Sequence, residues 1–262
     1  MIHLPPTFIA AVALVPAHES ITIQGDFSLF TTDEMGNVYA LRGDELELYG
    51  KNGVLIQRNS VKTFGPIHTI SAFYSLKPMV FSELQGQLAV LDNTLSVQGA
   101  IMDLPRLGYP QVVRVCMSVQ NRFWFFDERE LTLLRMDAQL RPLADSGRLD
   151  QLLGLTPHPA GMLEHDGFLY LNDPAEGILV FDLFGTYVRT IPLLNVLEFQ
   201  VRGQHLYHFT GTGLWVYDMR SFVVEHLPIP IEQGAVLQAR VERGRIYTRT
   251  AQGIHVADLP EP

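Results

Sequence analysis

One cysteine, two tryptophans and a deficit of basic residues, 19 against 28 acidic, are the first constraints on this chain. A lone thiol excludes an intramolecular disulfide and a cysteine-rich metal site. Cys116 lies in the apolar run Val112, Val113, Val115, Met117 and reads as a small buried hydrophobe. The net charge of −9 repels phosphate backbones and anionic lipid, so nucleic acid is not an expected partner. No run of 18 apolar residues occurs, so no membrane-spanning helix is expected. Gly-x-Ser-x-Gly elbows, phosphate loops, dinucleotide fingerprints and His-Glu-x-x-His pairs are absent as well. The nine histidines are scattered. The closest pair, His205 and His208, is three apart on a predicted strand, where alternation points the two rings away from each other, so no metal site is expected.

A composition of 47% hydrophobic and 18% charged residues is that of a globular chain with a real core. At 262 residues the length is compatible with a single all-β unit. The segment Thr7 to Ala17 is short, apolar and ends in small residues, as the core of a secretion signal does, but no Lys or Arg precedes it. Residues 1–19 are therefore either an export signal or an N-terminal arm packed on the domain, and residues 20–262 form one domain.

An internal repeat organises the rest. Six segments align: Val38 to Gly50, Val80 to Asp92, Trp124 to Asp137, Leu169 to Asp182, Leu206 to Asp218 and Ile246 to Asp258. Each reads as strand, polar turn, strand. An aromatic in the first strand (Tyr39, Phe81, Phe125, Tyr170, Tyr207, Tyr247) is followed 11 or 12 residues later by Asp, or in one copy by Gly50. The copies end 36 to 45 residues apart, close to the period of propeller blades. Runs such as Ile178 to Phe181 and Leu214 to Tyr217 are apolar on both faces, as a sheet packed between two others requires.

The predicted fold is an all-β six-bladed propeller with blades near 26–59, 67–103, 111–146, 160–192, 196–229 and 235–258. The last copy has no outer strand of its own, so Ser20 to Gln24 is expected to supply it and close the ring, with Ile21 and Ile23 beside Ile254 and Val256. Leu143 to Pro159 is a long link in which residues 150–155 could form a helical turn or two, stopped by Pro157 and Pro159.

With these strand, turn and Asp motifs the chain resembles the six-bladed NHL and PQQ-like propeller group and, more loosely, exported propeller proteins of Bacteroidota. The resemblance spans about residues 20 to 258. It implies the architecture. The Trp-Asp blade ending of WD40 repeats and the tryptophan docking motifs of quinone-binding propellers are missing, so no cofactor is carried over.

The blade-end acids Asp92, Asp137, Asp182, Asp218 and Asp258 are expected to cap turn NH groups. Propeller ligands bind where inner strands and the turns between second and third strands meet at one channel mouth. On that face Arg42, Asp44, Glu45, Glu83, Asp127, Glu128, Arg129 and Arg249 are candidates for contacting a polar partner, arginine offering bidentate bonds to carboxylates. His68, Arg114, Glu164, Gln200 and Arg240 are the predicted channel lining.

With no catalytic set in the sequence, an enzyme is not the first expectation. The expected function is a protein-binding scaffold in the periplasm or outside the cell, with the cytoplasm as the alternative location. The competing function is a hydrolase or lyase acting on a sugar or lactone at the channel mouth, which would draw its acids from Asp44, Glu45, Glu83, Asp127 and Glu128.

Overall fold

The computed structural model describes residues 20–60, 64–72, 77–118, 121–229 and 234–259. The N-terminal segment read as an export signal or arm lies outside them. Six four-stranded antiparallel sheets are arranged as the blades of a propeller. In the first blade the strands run, from the channel outward, Leu29–Thr32, Val38–Arg42, Glu45–Tyr49 and Leu55–Ser60. The inner strands of the next five blades are Thr69–Ser71, Val112–Ser118, Gly161–His165, Glu198–Arg202 and Gln238–Glu242.

The sixth blade takes its outer strand from the other end of the chain. Ile21–Gln24 pairs antiparallel with Gly253–Asp258, with Ile21 opposite Val256 and Ile23 opposite Ile254. This is the register the incomplete last repeat implies. It removes an open edge that would otherwise present unpaired backbone groups.

The hydrophobic core is divided among the seams between blades, one cluster to each. Along the second strand of the first blade, Val38 and Ala40 pack toward the sixth blade, and Tyr39 and Leu41 toward the second. In the fourth blade Leu169 and Leu171 face the third, and Tyr170 faces the fifth. The two-faced apolarity of these strands thus follows from sheet alternation inside a ring. Glycine is required where a turn meets the closure strand. Gly53 has φ +77°, and a Cβ there would lie 2.5 Å from Ile21 Cγ2.

The turns follow the aspartates. Asp92, Asp137, Asp182 and Asp218 each accept two backbone NH bonds within the following turn, at 2.7–3.0 Å. Asp258 lies 3.4 Å from the Arg245 guanidinium, and the turn expected to follow it lies outside the described residues. In the long link a helix covers Leu149–Leu153, and it ends on Gly154 in the left-handed region rather than at the expected prolines.

Candidate functional site

Inner strands begin on the face that carries the turns between second and third strands. The links from one blade's outer strand to the next blade's inner strand lie on the same face, because all three mark one end of the antiparallel sheets. A central cavity of about 360 Å³ opens within the ring of inner strands. His68, Arg114, Gln200 and Arg240 stand on its wall, together with Glu198, Arg202, Gln238 and Arg249.

Two of these polar residues are committed to structure. The Gln200 amide donates to Val241 O (3.1 Å) and accepts from Val241 N (2.8 Å), so it adds a sheet-like pair between the fifth and sixth blades. Gln238 does the same across the closing seam, donating to Phe30 O (2.7 Å) and accepting from Phe30 N (3.2 Å).

Gln238 is also the centre of a charged network. Its Nε2 donates to Glu198 Oε1 at 2.7 Å, and the same oxygen accepts from Arg240 Nη1 at 3.1 Å. Gln238 Oε1 accepts from Arg249 Nε at 3.2 Å, while Arg249 Nη1 donates to Phe27 O at 2.8 Å. Burial pushes the Glu198 carboxyl above its usual range against the pull of Arg240 and Gln238. It pushes both the Arg240 and Arg249 guanidiniums down. Glu198 Oε2 is buried without a hydrogen-bond partner.

Glu164, expected on the channel wall, turns away from it. Its side chain is buried in the seam between the third and fourth blades, where Oε2 accepts from Trp124 Nε1 at 2.6 Å and lies 3.7 Å from Arg135 Nη2. Trp124 and Arg135 occupy the second and third strands of the neighbouring blade, and they offer the carboxylate a buried donor and a cation.

The rim residues sort into separate contacts on the same face. Arg42 donates to Gln24 O (3.1 Å), lies 3.3 Å from Glu47 and stacks over the Phe27 ring, so it anchors the closure strand. Asp44 accepts from Ser60 within its own blade, and Glu45 opens the third strand opposite Ser60. Asp127 caps the NH groups of Arg129 and Glu130, while the Arg129 side chain is exposed and 3.7 Å from Glu130. Glu83 binds Arg114 Nη1 at 2.6 Å. Glu83, Glu128 and Arg114 line a side cleft of about 130 Å³ with His158. Of the eight rim residues, Arg249 alone belongs to the wall of the central cavity.

Glu198, Arg202 and Gln238 were not among the expected lining. Their signal in the sequence is period-two polarity on the inner strands, Glu198-Gln200-Arg202 and Gln238-Arg240-Glu242, whose middle members alone are in the expected lining.

His208 is a buried imidazole whose Nδ1 has no partner, and burial pushes its pKa down from 6.5 to about 4. Between those values the unfolded chain binds the proton and the folded chain does not, so acidification from pH 6.5 toward 4 destabilises the fold. Urea midpoints at pH 7 and pH 5 should therefore differ more for the wild type than for His208→Leu. Equal losses in the two proteins would rule out this source.

Fold and site together define a six-bladed β-propeller with a polar, arginine-bearing channel. No family model matches the chain, and no curated protein matches it in sequence. Among solved structures it is similar to a catalytically inactive histidine-to-alanine form of virginiamycin B lyase from Staphylococcus aureus with quinupristin. That match has a TM-score of 0.62 and 10% identity, over 93% of this chain and 100% of that one. BBS1N in complex with ARL6DN gives a TM-score of 0.54 and 12% identity, over 90% and 78%. An exported protein of Bacteroides fragilis gives 0.59 and 8%, over 93% and 95%. At these identities the likeness is one of fold.

Proposed function

We propose that this chain is a non-catalytic docking propeller, working in the cell envelope or as a secreted protein, that binds a protein partner on the face where the channel opens. The observation that carries the reading is a set of leucines on that face. Leu84 lies in a turn between second and third strands. Leu107, Leu152, Leu194, Leu197 and Leu237 lie in blade-to-blade links, and the six are 48 to 77% exposed. Exposed apolar side chains brought to one face beside polar residues suit a protein interface. The structural neighbour BBS1N, a propeller similar in fold, is in complex with another protein.

The partner should co-purify with the wild type from the native host. In the Leu194→Glu, Leu197→Glu double variant its affinity should fall by at least ~30-fold, the scale of losing a hot spot. Leu143→Glu, on the outer strand of the third blade, is the control and should leave binding intact. Undiminished binding by the double variant would count against this face.

A second reading, a hydrolase or lyase acting on a sugar or lactone, draws on Glu198. A carboxyl with a raised pKa in a cavity is a general-acid candidate, and His68 shares the same wall. The rim acids Asp44, Glu45, Glu83, Asp127 and Glu128 lie outside the wall of the central cavity. Turnover of a lactone or glycoside by the purified protein, lost in Glu198→Gln, would favour this reading over docking.

A further inference from the structure

The charge on the channel wall runs against the charge of the whole protein. The chain carries a net −9, yet the wall of the central cavity holds four arginines, Arg114, Arg202, Arg240 and Arg249, and one carboxylate, Glu198. Two of the arginines are neutralised from behind the wall. Arg114 pairs with Glu83 at 2.6 Å and Arg202 with Glu242 at 2.5 Å. Arg240 shares Glu198.

Arg249 has no carboxylate within ion-pair distance among the described residues. It is held by two neutral acceptors, Gln238 Oε1 and Phe27 O, through Nε and Nη1, which leaves Nη2 unspent on a residue of the cavity wall. Arg240 likewise uses Nη1 on Glu198 and Nε on Thr32 Oγ1, with Nη2 unspent. Both guanidiniums lose water on burial; an ion pair with Glu198 offsets that cost at Arg240, whereas Arg249 feels Glu198 and Asp26 only from beyond ion-pair distance. An anion seated in the cavity relieves that cost.

The rest of the wall favours an anion with an organic body. Leu197, Phe199 and Leu237 supply apolar surface, and Ser28 and Thr69 supply hydroxyls. Pockets of this size hold small molecules through such a mixture of apolar walls and a few fixed polar groups.

We infer that the channel mouth is an anion-binding site in which Arg249 and Arg240, oriented by Gln238 and Glu198, hold the carboxylate of a small organic acid. Nη2 of each guanidinium is a donor to a carboxylate oxygen, and the charge-assisted bonds form in a site partly cleared of water. Gln238 is a positioning residue here, since it is fixed by both backbone groups of Phe30 and sets the direction of the Arg249 side chain. Leu197 and Leu237 belong both to this wall and to the docking face, but the site needs no protein partner, so binding of a small acid by the isolated chain is tested separately from docking.

Titration calorimetry on the intact chain tests it with acetate, citrate and glucuronate as carboxylate probes and with inorganic phosphate. The expected result is saturable one-to-one binding of at least one carboxylate, weakened about 10-fold or more in Arg249→Gln, the scale of a lost charge-assisted bond. Arg240→Gln should weaken the same probe, and Arg129→Gln, on the exposed rim, should not. Circular dichroism confirms that each variant keeps the fold. Saturation by none of the three carboxylates, or affinity unchanged in Arg249→Gln and Arg240→Gln, would overturn the site. Binding of phosphate with no binding of any carboxylate would overturn the assignment to an organic acid.

Discussion

Ile23→Asp should destabilise the protein by about 4 kcal/mol or more, because it removes a buried branched side chain and places an unpaired charge in its cavity. Ile23 is packed with Phe27, Phe30, Val38, Tyr49, Tyr247 and Ile254 in the cluster that joins the sixth blade to the first. Its backbone is part of the pairing that supplies the sixth blade with its outer strand. The loss is therefore felt at the one seam that joins residues more than 200 positions apart. Neighbouring Thr22 is exposed on the same strand. Thr22→Asp should cost under ~1 kcal/mol, as surface substitutions generally do. Chemical denaturation of the two variants separates ring closure from mere occupancy of an edge. Similar midpoints for both would mean that the strand is dispensable.

Glu164→Ala should cost about 3–5 kcal/mol, the usual penalty for stripping a buried charge of its partner. The variant leaves Arg135 buried with its neutralising carboxylate gone and Trp124 Nε1 without its acceptor. Burial already pushes the Arg135 pKa down, with Glu164 as the main opposing influence. Glu164→Gln retains an acceptor for the indole and should lose less. Adding Arg135→Met to Glu164→Ala should recover much of the stability, since an apolar residue in that seam carries no uncompensated charge. A double variant as unstable as the sum of its parts would show that the two residues do not act as a pair.

The repeat made the architecture legible because every blade faces the same demand. Its second and third strands must be apolar on both sides, must be joined by a polar turn and must be followed by a capped turn. Tyr39, Tyr170 and Asp182 each answer one of those demands at a fixed offset. Ring closure was legible for a related reason, since a last repeat lacking an outer strand and a lone strand at the start of the domain complete each other.

The site was less legible because alternation along a strand says that two faces exist, not which seam each one meets. Glu164 and Gln200 both lie on inner strands and both read as channel residues. One instead meets Trp124 across the seam to the third blade, and the other spans the gap to Val241 while still reaching the wall. The Arg249 environment was out of reach for a different reason. It joins Phe27 to Gln238 and Glu198, residues brought together only once the ring is closed.

Hydrogen exchange on the complex isolated from the native host bears most directly on the docking reading. The account predicts protection concentrated in the link around Leu194 and Leu197, the link around Leu107 and the turn around Leu84. Protection on the opposite face around Phe184 and Phe222, or along the outer strand from Leu55, with the channel-mouth links unchanged, would contradict it.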